Sequence, residues 1–269
     1  MRRLAKRLVV AMQAGALLAL LAAPARASIC DVPPELVDSP VPLEATARGL
    51  RRGVLRVLVV GSASVFGPGG SGPDAAWPGQ FATRLREGWP GLRVELEVRG
   101  ARGMMADEML AMILAVTTPR PHLVVWQAGS VEAARGQDTD WLARRLNTGL
   151  EALRERGIDA VLMDQQFSRF MRANSDVDSY RDALRMAGSV HGAALLQRYA
   201  MMQHWAESER IDIERTPRER RVAATDQLHA CLGRALARLV LDGAADAGAP
   251  SPDNAQRPGP PQSDAAPRP

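Results

Sequence analysis

Residues 54–60 read VLRVLVV and run straight into Gly61-Ser62-Ala63-Ser64, the start of a loop of glycine, serine and proline that reaches about Asp74. A short, nearly continuous run of branched apolar residues fits a strand buried on both faces, as in a parallel sheet. A loop of this composition directly behind such a strand is where α/β proteins place binding and catalytic groups.

Working outward, the pattern predicts helix over 80–87, strand over 92–98, a glycine turn over 99–103 and helix over 105–116. Strands at 123–127, 158–164 and 193–196 then alternate with helices at 141–156 and 180–187, and helices at 198–208 and 219–240 close the core. Strands separated by helices of this length imply right-handed crossovers and a parallel sheet covered on both faces. The expected fold class is therefore three-layer α/β. The first three strands end in glycine-bearing loops, at Gly61, at Gly100 with Gly103, and at Gly129. In an open parallel sheet such loops converge on one crevice at the carboxyl ends of the strands.

The flanks differ from this core. Arg2, Arg3, Lys6 and Arg7 form a basic start, residues 8–23 an apolar stretch, and Ala25-Arg26-Ala27 an A-x-A site. Together these predict a signal peptide over 1–27, cleaved near Ala27, and a secreted or periplasmic product with no stable membrane anchor after cleavage. An uncleaved anchor is the competing reading, although the apolar run is short for a spanning helix. Residues 28–53 are expected to be an N-terminal arm, 54–242 the domain, and 243–269 a disordered tail that carries 7 of the 19 prolines. A 215-residue core from 28 to 242 buries roughly 70% of the surface its unfolded form exposes, enough for one self-sufficient domain.

The formal charge of +4 misleads, because five basic residues and no acid lie in the first 27 positions, leaving −1 for the rest. Nucleic acid is excluded as an expected partner on that ground. Gly61-Ser62-Ala63-Ser64 matches neither nucleotide-binding glycine motif, and Lys6 is the only lysine. No G-x-S-x-G elbow is present. No cofactor and no metal cluster is expected. The two cysteines, Cys30 and Cys231, can pair in an oxidising compartment, with separate buried thiols as the alternative.

Asp226-Gln227-Leu228-His229 falls near the start of the last predicted helix. At i and i+3 the carboxylate and imidazole share a face, the spacing by which an Asp sets the tautomer of a general-base His. In order, the chain carries Gly-Ser-Ala-Ser after the first strand, Arg99-Gly100-Ala101-Arg102-Gly103, Trp126-Gln127-Ala128-Gly129-Ser130-Val131-Glu132, and then Asp226 with His229. This arrangement resembles the SGNH (GDSL-like) hydrolase family, whose sequence blocks fall in that order across residues 54–240.

The resemblance implies a flavodoxin-like sandwich and a serine esterase acting on a small-molecule or glycan ester. Its oxyanion donors would be the nucleophile's own N–H, the block-two glycine, here Gly103, and a block-three asparagine. The third residue of G-D-S-L is met here by Ala63, flanked by Ser62 and Ser64, and the block-three asparagine by Val131, two residues after Gly129. Two readings stay open. In one, Ser64, or alternatively Ser62, attacks an ester carbonyl while His229 takes the proton and Asp226 orients it. In the other, a catalytically dead module binds an acylated glycan or another envelope ligand. Asp164, at the end of its strand, is a further crevice residue of open role; oligomeric state and acyl group have no sequence signal.

Overall fold

The structure, a computed structural model, describes residues 28–38 and 41–249. The signal peptide predicted over 1–27 and the part of the predicted tail from 250 onward lie outside these residues. Residues 28–31 form a small turn of their own, closed by the Asp31 N–H on the Ser28 carbonyl.

The rest is built around five parallel strands. In chain order the elements are α1 (Glu44–Arg51), β1 (Val54–Gly61), α2 (Trp77–Gly88), β2 (Arg93–Gly100), α3 (Ala106–Leu114), β3 (Leu123–Gln127), α4 (Ser130–Arg135) and α5 (Thr139–Glu155). They continue with β4 (Asp159–Met163), α6 (Arg169–Asn174), α7 (Val177–His191), β5 (Ala194–Leu196), α8 (Arg198–Glu207) and α9 (Arg221–Asp246). The strand order is β2-β1-β3-β4-β5, with every pairing parallel. This is the three-layer α/β architecture expected from the alternation of apolar strands and helices.

Side-chain alternation divides the strands between two cores. Leu58, Val60, Val124, Trp126, Ala160 and Leu162 point into a cluster with Met109, Ile113, Leu146, Leu150 and Leu184, contributed by α3, α5 and α7. On the other face, α2 packs against α9, and α1 lies against β1 and α9. β3 is buried at all five positions, which is why it shows no polar alternation.

Two boundaries move. The arm expected over 28–53 contains α1, whose Ala45, Thr46, Ala47 and Leu50 are buried and whose Thr46 N–H donates to the Asp159 carboxylate at 2.7 Å. The expected tail boundary at 242 falls inside α9, which runs to Asp246. Gly243 and Ala244 are buried, and the Gly243 carbonyl accepts the Leu43 N–H at 2.8 Å. Small residues made 243–246 read as tail, yet they let the helix end approach Leu43 closely. His191 is the last residue of α7. Cys30 and Cys231 are disulfide-bonded, and no thiol is free among the described residues.

Candidate active site

The strand register aligns the carboxyl ends: Gly61 pairs with Gly100, Val60 with Trp126, Gln127 with Met163, and Met163 with Leu196. The chain leaving this edge carries Ser62, Asp164, Gln165 and Arg198. Among the described residues the buried polar side chains are these four with Gln127, Glu132, Thr225, His229 and Thr46. Of these, only Thr46 sits at the opposite edge. Buried polar groups cost free energy unless partnered, so this concentration makes the edge the candidate functional one.

The serine loop turns at once into a short 3-10 segment, Ala63–Phe66, with the Val65 N–H on the Ser62 carbonyl. Gly61 and Gly100 permit this turn, since a Cβ on Gly100 would stand 2.3 Å from the Gly61 carbonyl oxygen. Ser62 is buried, and Ala63 and Ser64 are half-buried. The Ser64 hydroxyl donates to Gln127 Oε1 at 2.5 Å and accepts from Arg198 Nη1 at 3.2 Å. Ser64, rather than Ser62, is thus the serine tied into the edge.

Arg198 is 2 % exposed, its Nη2 donates to Gln166 Oε1 at 3.3 Å, and its Nε has no partner. Burial pulls its pKa down to about 10, with Asp164 opposing, so it stays a cation at neutral pH. Asp164 accepts the Tyr199 N–H at 2.8 Å and the Arg181 Nε at 3.5 Å. Desolvation pushes its carboxyl up to about 6 against the pull of that N–H and of the two arginines.

The Asp226/His229 pair is arranged differently from the expectation. His229 Nδ1 accepts the backbone N–H of Trp77 at 3.0 Å, and Asp226 Oδ1 accepts that of Ser71 at 2.9 Å. Trp77 opens α2, where helix N–H groups lack internal partners, so the imidazole caps that helix and the carboxylate pins the glycine-rich loop before it. No hydrogen bond joins Asp226 to His229. With its lone pair on Nδ1 engaged, the neutral ring carries its proton on Nε2, the reverse of the tautomer a serine-activating base needs. Desolvation, and then the Arg198 charge, hold the imidazole down at about 4, with Asp226 pulling weakly the other way.

Block three is occupied by structure. Glu132 is fully buried and accepts the Ala106 N–H at 2.7 Å and the Gly129 N–H at 2.9 Å, tying the start of α4 to the start of α3. Burial raises its pKa while these N–H groups lower it. Gly129 sits at φ +92, where its missing Cβ leaves room for the Gln165 amide and Leu184. Its N–H is spent on Glu132 and is not free to serve as an oxyanion donor. Val131, half-buried, brings no donor, and Gly103 turns at φ +76 beside the Arg135 guanidinium. Trp126 is buried with its Nε1 on Met109 Sδ, and Trp141 stacks under Arg145.

Sequence reasoning missed Gln127, Gln165, Gln166 and Arg198. The available signal was positional: each is a polar residue at, or just past, the carboxyl end of an apolar strand. Among the described residues no three His, Cys, Asp or Glu side chains converge to hold a metal ion.

An α/β sandwich with a serine loop behind its first strand and a D-x-x-H pair on its last helix defines the scaffold of an SGNH-type hydrolase. The sequence profile of the non-GDSL lipase-like family matches residues 29–246, and the chain belongs to that family. Among solved structures it is similar to a catalytic mutant of Axe2, an acetylxylan esterase from Geobacillus stearothermophilus. Identity is 15%, with 69% of this chain and 94% of that one covered at a TM-score of 0.56. It is also similar to TesA, with 18% identity over 68% of this chain and 99% of that one, at a TM-score of 0.52. At these identities the likeness establishes the fold. No curated protein matches the chain.

Proposed function

We propose that this chain is an exported binding module on a hydrolase scaffold, holding an acylated or ester-bearing envelope ligand at the carboxyl edge of its sheet. The observation that carries this reading is the Trp77 N–H on His229 Nδ1, which leaves the imidazole an N–H donor where a triad needs a lone pair. Ala63 and Val131, at the positions of the family's nucleophile and amide, support it, since losing one oxyanion donor alone costs about 100- to 1000-fold in rate. The Arg198 charge near His229 adds to this, because it opposes the imidazolium that serine attack must generate. Export is supported by the basic and apolar start with its A-x-A site, and by a disulfide suited to an oxidising compartment.

One observation favours hydrolysis through Ser64: its hydroxyl touches a buried guanidinium that would stabilise an alkoxide. Exposure of the purified protein to a fluorophosphonate probe and to a short-chain aryl ester decides between the two. The binding reading expects no labelled serine and no turnover above background. A labelled Ser64, with turnover abolished in Ser64→Ala, would replace it with the esterase reading.

A further inference from the structure

Arg198 is a buried cation with no carboxylate in direct contact. Among the described residues no carboxylate comes within ion-pair distance of it; its two terminal nitrogens meet only the neutral oxygens of Ser64 and Gln166, and its Nε meets nothing. Asp164, the acid that acts on it through space, is already committed to the Tyr199 N–H and Arg181. A buried charge is ordinarily paired, and a buried donor ordinarily bonded.

Other unspent groups follow the carboxyl ends of neighbouring strands, and most are donors. Gln165 is 2 % exposed and neither of its amide atoms has a partner, while its Nε2 lies against Gly129. The Ser130 hydroxyl is buried and unbonded. His229 presents Nε2–H, for which no partner is found among the described residues. A guanidinium and several N–H groups gathered at one edge complement an oxyanion, and the planar fork of arginine suits a carboxylate. The Ser64 hydroxyl, half-buried on Nη1, marks where a carboxylate oxygen would meet the charge. Exposed apolar residues flank these positions along the chain: Phe66 two residues past Ser64, Val222 one turn before Asp226, and Phe170 in the helix after Asp164-Gln165-Gln166.

We infer that the carboxyl edge recognises its ligand by a carboxylate, with Arg198 as the counter-charge and Ser64, Gln165 and His229 as hydrogen-bonding partners, and with an apolar chain lying outward over the exposed rim. This assignment rests on the binding reading and names the polar end of the ligand.

Calorimetry on the purified full chain with octanoate and octanamide tests it, because the two ligands share a tail and differ in charge. The expected result is octanoate binding at least about tenfold tighter, the scale of one charge-assisted hydrogen bond. Arg198→Gln should erase that preference by weakening octanoate about tenfold more than octanamide, and Arg198→Lys, which keeps the charge but loses the fork, should retain part of it. A merely structural arginine would instead weaken both ligands together. Equal binding of octanoate and octanamide by the unmodified protein, or no binding of octanoate at millimolar concentration, overturns the carboxylate assignment. Failure of the underlying binding reading shows itself separately, as covalent labelling of Ser64 and ester turnover.

Discussion

Glu132 and Arg198 sit at the same edge of the sheet, at the starts of α4 and α8, and are hidden to the same degree, at 0% and 2% exposure. Their surroundings could hardly differ more. Both Glu132 oxygens are taken by backbone N–H groups, of Ala106 and Gly129, whereas Arg198 keeps an idle Nε and has only neutral oxygens on its other nitrogens. A buried charge whose hydrogen bonds are all made inside the fold serves the fold; one left incomplete destabilises the free protein and is available to a ligand. Burial alone separates neither role from the other.

The sharpest way to break the comparison is to remove each charge in turn. Glu132→Ala strips two charge-assisted bonds and leaves two buried N–H groups unpaired, at about 1–3 kcal/mol each, so a total loss of about 4 kcal/mol is expected. In a domain of this size that lowers the thermal midpoint by about 10 °C. Arg198→Gln should cost at most about 1 kcal/mol, because the desolvation of an unpaired cation disappears with it. Thermal denaturation of the two variants side by side checks this, and equal losses would show that Arg198 is as structural as Glu132.

The charges facing Arg198 make a second contrast, visible in pH. The Asp164 carboxyl is pushed up from 3.8 to about 6, so the stability tied to its protonated form is full below about pH 4 and lost as pH rises through 6. His229 is lowered from 6.5 to about 4, so the stability tied to its neutral ring is present above pH 6.5 and lost as pH falls through 4. Shifts of this size correspond to about 3 kcal/mol each, of opposite sign across one window. Relative to the unmodified protein, His229→Gln should gain stability as pH falls from 6.5 to 4, and Asp164→Asn should lose it. Denaturant titrations at three pH values suffice, and parallel profiles for the two variants would refute the opposition.

A smaller effect tests where the fold ends. Truncation after Asp242 removes the carbonyl that accepts the Leu43 N–H and the buried Ala244, so a loss of about 1–2 kcal/mol is expected, read as a fall of about 5 °C relative to truncation after Ala249. That boundary was hard to read because Gly243-Ala244-Ala245 carries no apolar periodicity, and closeness to Leu43 is a tertiary fact. The strands were legible because burial on both faces imposes an unbroken apolar run, as in 123–127. Short α4 and α6 were not, since six residues give no helical period to detect. The serine loop and the D-x-x-H pair were visible as residues, but their wiring was not. Spacing places Asp226 and His229 on one face, and only packing of α2 against α9 brings the Trp77 N–H to the imidazole first.

That wiring yields the prediction with the smallest expected effect. Ala63→Ser with Val131→Asn restores the residue types that the resembled family carries at its nucleophile and block-three positions. Neither change touches the Trp77 N–H, so His229 keeps its lone pair on Nδ1 and its proton on Nε2, and the new hydroxyl gains no base. The imidazole also stays neutral beside Arg198, which opposes the ion pair that attack would create. The double variant should therefore bind ligand as before and turn over an aryl ester no faster than the unmodified protein, within about twofold, against the roughly 100-fold that a recovered oxyanion donor gives a working triad. Hydrolysis rising by orders of magnitude would mean that the His229 ring reorients once a serine faces it, and that the site is two substitutions from an esterase instead of being wired against catalysis by the helix it caps.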